Sequence, residues 1–345
     1  MYRIFRFIFL FLTPLFLFPE QYTFAQKNYK IIPLPFAIDG INEEFSGMAW
    51  HKERVYLLPQ YGDNKETKLQ GSFNIYSILA DSVSRVIDGK DASLTTFKTT
   101  KVKNLNLLPD FVQQSYQGFE AITIINNQVF LSIETNDTNK YCFLLKGILN
   151  IEKNILTIDP KQVISLEKLP GIANAGFESL AWLPKEKKLM AMYEFNAMAN
   201  GGIGYLIDTS FVKVPKKITI PFMPFRITEA VATNSDQLYA INFYWNGDYA
   251  SYLKNKVTNQ EVGKFAPDLK DIIRKEPDYL LKPTTFYARI LVMKGYRSRK
   301  WKQVTAFDGV QCNWEGMVLF RKGALVITDA NRNKKQVTRL SYLEF

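Results

Sequence analysis

Five short segments of the chain each place one polar residue at the start of an apolar, strand-like run, and in four of them that residue is a glutamate. We call these positions the slot residues: Ser46, Glu120, Glu178, Glu229 and Glu315. A second apolar run follows each slot and ends 13 to 16 positions later in a polar partner residue: Gln60, Glu134, Glu194, Asn242 and Asp329. Carboxylates that a fold gathers within a few ångströms cannot all stay ionised, so they hold protons or a cation.

The repetition of this unit indicates the architecture. Polar pairs such as Asn126-Asn127 and Lys185-Glu186 separate the two runs of a unit, which favours tight hairpins. Successive slots lie 74, 58, 51 and 86 positions apart, and a blade of four short antiparallel strands needs about 40–50 residues. We therefore predict an all-β chain that folds as a five-bladed β-propeller. The wide last interval leaves a sixth, degenerate blade within 240–310 as the alternative.

The two ends of the chain fit a closed ring. The last unit has three strand-like runs before Phe345, and an isolated run at 29–35 supplies a fourth. An N-terminal strand that joins the last blade leaves the ring without an open edge. Residues 26–345 are thus expected to form a single propeller domain with inserts near 101–117 and 255–283, the second of which contains a short helix at 268–275.

The slot residues are expected to meet at the propeller axis. The first strand of each blade lies nearest the axis, and the second strand runs back to the same rim. Oxygen donors without His or Cys favour a hard cation, and a roomy site with many ligands favours Ca²⁺ over Mg²⁺. We predict a Ca²⁺ site formed by Ser46, Glu120, Glu178, Glu229 and Glu315. The alternative is that these carboxylates pair with basic residues such as Arg226, Arg321 and Arg332.

A metal with basic neighbours suggests a function. Arg226, Arg332 and Lys65 stand close in sequence to the predicted mouth and would make it attractive to an anionic ligand. A metal, a water molecule and a carboxylate suffice for phosphoester hydrolysis, with Glu134 or Glu194 as the general base. The first hypothesis is thus a metal-dependent phosphoester hydrolase. The second is a non-catalytic propeller that binds an anionic polymer or a protein.

The remaining composition excludes several classes of function. One His and two Cys exclude most transition-metal clusters and disulfide scaffolds. The net charge is +11, but the strongest basic run, at 297–302, is too short for a nucleic-acid-binding stripe. We expect no nucleic-acid partner and a monomeric protein.

The N-terminus has the pattern of a secretory signal. Arg3 and Arg6 precede a short apolar core, and Thr23-Phe24-Ala25 forms a small-residue end before Gln26. We predict that residues 1–25 are removed, that the protein is secreted or periplasmic, and that no transmembrane segment remains. An uncleaved N-terminal anchor is the alternative.

The slot pattern resembles the phytase-like, or esterase-like, β-propeller domains of bacteria, which repeat Glu-Gly-Leu/Ile-Ala starts followed by a strand with an acidic end. The best matching segments are 314–317 with Asp329, 177–182 with Glu194 and 119–122 with Glu134. The order of the slots is also similar to that of the calcium-activated nucleotidases (apyrases), whose Ser and Glu slots hold one axial Ca²⁺. The resemblance implies a propeller with a metal ring. The other signature segments of the nucleotidases are absent, so nucleotide hydrolysis is not implied.

Overall fold

A computed structural model describes residues 29–40, 43–62, 69, 73–255, 257–282, 286–298, 300–307, 312–330 and 338–345. The predicted signal segment at 1–25, Lys65 and Arg332 lie outside the described residues.

The strands form five four-stranded antiparallel blades, which confirms the predicted five-bladed β-propeller. The outer strands of the first two blades also pair in parallel, so these two blades form one eight-stranded sheet. Strand β1 (Tyr29–Ile32) belongs to the last blade. Blade 1 contains β2 (Phe45–His51), β3 (Arg54–Pro59), β4 (Phe73–Leu79) and β5 (Lys98–Lys103). Blade 2 contains β6 (Tyr116–Ile125), β7 (Gln128–Thr135), β8 (Tyr141–Asn150) and β9 (Ile155–Glu167).

The other three blades repeat the same order from the axis outward. Blade 3 contains β10 (Ser179–Leu183), β11 (Lys188–Met192), β12 (Gly202–Ile207) and β13 (Lys216–Ile220). Blade 4 contains β14 (Arg226–Ala232), β15 (Leu238–Trp245), β16 (Phe286–Met293) and β17 (Lys302–Ala306). Blade 5 contains β18 (Asn313–Phe320), β19 (Gly323–Asp329) and β20 (Arg339–Glu344).

The N-terminal strand closes the ring as predicted. Strand β1 pairs antiparallel with β20, from Tyr29 opposite Leu343 to Ile32 opposite Leu340, and is the outer strand of blade 5. The inner strands β2, β6, β10, β14 and β18 contact one another in that order, and β18 returns to β2. The described residues 240–307 contain the outer strands of blade 4 and no sixth blade.

The closing strand offers a test of the architecture. Ile32 is 1% exposed whereas its neighbour Ile31 is 47% exposed, because alternate residues of a strand face opposite sides. We expect Ile32→Ala to lower the free energy of unfolding by about 2–4 kcal/mol, and Ile31→Ala to change it by less than about 0.5 kcal/mol. Urea denaturation of both variants measures the difference. Equal effects at the two positions would contradict the pairing of β1 with β20.

Hydrophobic clusters fill each of the five spaces between neighbouring blades. Examples are Phe73 against Phe119 between blades 1 and 2, and Phe307 against Trp314 between blades 4 and 5, with ring centroids 4.7 and 4.3 Å apart. Since each blade buries both faces, its central strands are almost wholly apolar. The blades are therefore fixed relative to one another, and so are the side chains at the axis.

Helices interrupt the blades between strands. They are α1 (Ala80–Ile87), α2 (Asp110–Ser115), α3 (Tyr249–Lys254), α4 (Asn259–Phe265) and α5 (Pro267–Lys275). Helix α5 covers the predicted helix. We call the segment between β15 and β16 the helical insert of blade 4. Tyr252 of α3 is 4% exposed and stacks on Phe195 at 5.7 Å, so the insert is packed into the core.

No helix in the described part of the chain is long and apolar enough to cross a membrane.

Candidate functional site

The slot residues lie where the inner strands enter the propeller, and β-bulges occur at four of the five positions. The pairing of β2 with β3 skips Ser46, and that of β18 with β19 skips Glu315. Similar shifts fall beside Glu120 in β6 and Glu229 in β14, while Glu178 directly precedes β10. A bulge adds one residue to one strand and turns its side chain away from the regular alternation. The bulges thus allow a polar side chain on a strand whose other residues serve the core.

The slot glutamates form a buried acidic group. Burial is the main cause that raises the pKa of Glu120, Glu178 and Glu315 well above the usual range, and repulsion from neighbouring carboxylates adds to it. Burial likewise raises the pKa of Glu229, although its carboxylate accepts hydrogen bonds from the backbone N–H groups of Ala230 and Met48. These shifts mean that the group holds protons in the absence of a cation.

Three of the slot glutamates have a carboxyl oxygen without a hydrogen-bond partner among the described residues. The Oε2 atoms of Glu178, Glu229 and Glu315 are buried and have no hydrogen-bond partner within the described residues. By contrast, Glu120 Oε1 accepts a hydrogen bond of 2.8 Å from Gln60 Nε2. Buried polar atoms normally have partners, so three orphan oxygens at one mouth indicate room for a proton, a water molecule or a ligand.

Among the partner residues, Glu194 is fully buried and held from two sides. Its Oε2 accepts a hydrogen bond of 2.5 Å from Nη1 of Arg226, and its Oε1 accepts one of 2.8 Å from the N–H of Gly176. Glu178 lies within hydrogen-bond reach of Glu194 when it carries a proton. Arg226 thus compensates a negative charge beside Glu178, whose pKa is raised by burial and by the charge of Glu194.

Asp248, which the sequence analysis missed, fixes the other side of Arg226. Its Oδ2 and Oδ1 accept hydrogen bonds of 2.5 and 2.6 Å from Nε and Nη2 of Arg226. Asp248 is 3% exposed and lies just before α3, in the helical insert. No spacing rule connects it to the slots, since the insert must fold back before the two residues meet.

Glu134 also belongs to the buried acidic group. It is 7% exposed, and burial together with the charge of Glu194 raises its pKa to about 7, although Arg226 and Lys168 oppose the shift. A pKa near neutrality is suited to a general base. However, Glu134 does not line the cavity between blades 3, 4 and 5, so its predicted role as a base stays a prediction.

A cavity of about 400 Å³ opens beside the axis between blades 3, 4 and 5. Three carboxyl groups line it from blades 3 and 5, and three aromatic rings line it from blade 4. The lining residues are Asn174, Glu178, Glu194, Arg226, Thr228, Phe243, Trp245, Phe286, Asn313 and Glu315. A mixed aromatic and polar concave surface of this size is typical of a small-molecule site.

The cavity contains only part of the predicted site. Glu178, Glu194, Glu315 and Arg226 line it, whereas Ser46, Glu120, Glu134 and Glu229 do not. Arg226 had been predicted to bind an anionic ligand, but its guanidinium is engaged by Glu194, Asp248 and the Asn174 carbonyl. The predicted pairing of Arg226 with the acidic group is therefore observed, whereas Arg321 pairs with Asp88 away from it.

The described residues do not form a preformed set of ligands for the predicted Ca²⁺ site. Within the described residues, no three Asp, Glu, His or Cys side chains are placed to hold one metal ion together. The orphan oxygens of Glu178, Glu229 and Glu315 suit a hard cation in charge and chemistry. Direct coordination by all four slot glutamates with Ser46 therefore stays a prediction.

Comparisons with known proteins support the fold. No family model matches the chain, and no curated protein matches it. An exo-β-1,3-galactanase from Phanerochaete chrysosporium has 8% identity and a TM-score of 0.50, covering 91% of this chain and 64% of its own. A GH43 β-xylosidase/α-arabinofuranosidase from a compost microbial metagenome has 9% identity and a TM-score of 0.49, covering 92% and 94%. The GH43_1 enzyme from Xanthomonas citri has 8% identity and a TM-score of 0.48, covering 90% and 89%.

These findings correct the expected family resemblance. The solved structures that match include GH43 glycoside hydrolases, so the resemblance to phytase-like propellers and apyrases is wrong. The motif misled because an acidic residue at the start of an inner strand, followed by a small residue, reflects a bulge and close packing of inner strands. Gly316, for example, approaches Gly47 so closely that a Cβ would lie 3.1 Å from the Gly47 carbonyl carbon.

Proposed function

We propose that the protein is a glycoside hydrolase that binds a neutral sugar in the cavity between blades 3, 4 and 5. The observation that carries the proposal is the division of the cavity wall. Carboxyl groups of Glu178, Glu194 and Glu315 lie on two sides, and the rings of Phe243, Trp245 and Phe286 lie on a third. The proposal rests on this cavity, because propellers of one fold host unrelated activities.

The charges in the cavity favour a neutral ligand over an anionic one. Arg226 is the one basic residue among the described lining residues, and Glu194 and Asp248 neutralise it. A phosphate group would therefore approach several carboxyl groups without gaining an unpaired cation. Sugar hydroxyls, in contrast, can donate to carboxylates and accept from Asn174 and Asn313.

The aromatic wall suits the apolar faces of a sugar ring. Phe243 and Phe286 stack on each other with centroids 6.3 Å apart and planes inclined by 29°. They are 4% and 8% exposed, so they are rigidly set in the wall. A sugar ring with axial C–H groups packs on such a surface while its hydroxyls turn to the polar side.

Glycosidic cleavage needs one protonated carboxyl group as the acid and one carboxylate as the base or nucleophile. Glu315 of blade 5 is buried, its raised pKa keeps it protonated, and it can donate to the leaving oxygen. On blade 3, Glu194 forms an ion pair with Arg226 beside Glu178, and a carboxylate held in this way can activate water or attack the sugar. The acid and the base thus stand on different blades and face one cavity.

An assay of the purified protein tests the proposal. The substrates are the 4-nitrophenyl glycosides of xylose, arabinose and galactose, together with xylotriose and β-1,3-galactotriose, which solved propellers of this fold bind. We expect release of sugar from at least one of them and no release of phosphate from 4-nitrophenyl phosphate. Phosphate release without any glycoside cleavage would contradict the proposal, and sugar binding without turnover would leave the cavity as a sugar-binding site and contradict the hydrolase.

We also propose that a hard cation, with Ca²⁺ as the first candidate, binds near the slot glutamates. The support is the excess of buried carboxyl groups over basic residues and the three orphan oxygens. Since three side chains do not converge on one point, water and backbone carbonyls would complete the ligand shell. Glu229, whose orphan oxygen does not line the cavity, would be the first ligand of the cation, which would supply charge compensation.

A further inference from the structure

Trp245 stands at the outer edge of the aromatic wall and differs from its neighbours in exposure. Its side chain is 44% exposed, whereas Phe243 and Phe286 are 4% and 8% exposed. It lines the cavity from the last position of β15, directly opposite Phe286 in the β-ladder. An exposed tryptophan at the rim of a cavity offers a large flat surface that the fold itself does not cover.

The β-ladder and the backbone that follows it hold the indole of Trp245 in place. The β-ladder with Phe286 fixes the backbone of Trp245. Two residues later, the backbone of Gly247 lies against the ring so closely that a Cβ there would be 2.4 Å from Cη2 of Trp245. Asp248 then anchors the chain through its two hydrogen bonds to Arg226. A ring held in this way loses little conformational entropy when a ligand packs on it.

We propose that Trp245, at the outer edge of the cavity, is a stacking platform for a second sugar ring, beyond the Phe243 and Phe286 rings that take the first. The inference rests on the proposed function, and it specifies an oligosaccharide over a single sugar as the ligand. The second ring would bind as the first does on Phe243 and Phe286. The apolar face of a neutral sugar covers the indole while the sugar hydroxyls remain in water. Continuity with Phe243 and Phe286 places the second ring next to the first.

The test compares ligands of different length by isothermal titration calorimetry. All variants carry Glu315→Gln so that no bond is cleaved, and the probes are xylotriose with xylose and β-1,3-galactotriose with galactose. We expect Trp245→Ala to raise the Kd of the trisaccharide about 5- to 10-fold and to leave that of the monosaccharide within about twofold. Trp245→Phe should lie between the two, and Gly247→Ala should weaken the trisaccharide because the added Cβ displaces the ring.

Trp50 provides the matched control. It is 41% exposed, but it lies four residues along β2 from Ser46, at the opposite end of the inner strand. Trp50→Ala should leave both dissociation constants unchanged. If the parent binds a trisaccharide and Trp245→Ala binds it equally well, or loses the monosaccharide to the same extent, the platform is ruled out while the cavity stands. If the parent binds none of the four sugars, both the proposed function and the platform fail.

Discussion

Replacing Glu315 by Gln is expected to lower kcat for glycoside hydrolysis by about 10²- to 10⁴-fold while leaving sugar binding nearly intact. Gln has the shape of the protonated carboxyl group but no acidic proton. Glu315 is buried in the cavity wall, and burial and the neighbouring Asp329 and Glu194 charges raise its pKa well above the usual range. Wild-type kcat should therefore fall on the alkaline side, where Glu315 finally ionises, and the residual rate of Glu315→Gln should lack this dependence.

The control for this prediction lies on the same blade. Glu344 is at the end of β20, two strands away from β18 and outside the cavity. Glu344→Gln makes the same substitution elsewhere on blade 5 and should leave kcat unchanged. Turnover by Glu315→Gln at the wild-type rate, on a substrate that the wild type cleaves, would show that another group is the acid.

The second large effect concerns stability against pH. In the presence of a chelator, the free energy of unfolding should fall as the pH rises from about 5 to about 8. Glu134 has a folded-state pKa raised to about 7, above its value of 4.5 in the unfolded chain. Its stabilising contribution is thus complete below about pH 4.5 and is lost as the pH rises through about 7. Glu120, Glu178, Glu229 and Glu315 have pKa values raised further and continue the loss at higher pH.

The variant Glu134→Gln isolates one part of this effect. At about pH 5 it should be nearly as stable as the wild type, because both side chains are neutral in the folded state. At about pH 8 it should be more stable by roughly 3 kcal/mol, the free energy that corresponds to the pKa shift of Glu134. Urea denaturation at the two pH values measures both differences. A wild type that becomes more stable over this range in chelator would contradict the buried, uncompensated acidic group.

Adding Ca²⁺ at about pH 8 tests whether a cation, and not protons alone, neutralises the slot glutamates. If the cation binds the slot glutamates, the melting temperature should rise with Ca²⁺ concentration, as for any ligand of the folded state. The rise should shrink in Glu229→Gln, which keeps the shape of the side chain but removes its charge. A melting temperature that is independent of Ca²⁺ would leave protonation alone to neutralise the group.

The five blades and the closure of the ring could be predicted from the sequence because both depend on local alternation. Strands with apolar residues on both faces, two-residue turns such as Asn126-Asn127 and the recurrence of the slot unit specify blades without knowledge of distant contacts. The left-handed φ angles of Asn126 and Asn127, 48° and 66°, are those that a tight hairpin requires. The axial position of the slots follows from the same repeat, since it marks the first strand of each blade.

What the slots do could not be predicted, because it depends on contacts between segments far apart in the chain. Arg226 was expected to remain available for an anion, but the helical insert returns Asp248 to it and closes it off. The five slot residues were expected to form one site at the axis, but the cavity lies to one side of the axis, between blades 3, 4 and 5. Local periodicity thus determined the strands and their order, while the direction of each carboxylate and the aromatic wall opposite were decided by packing between blades.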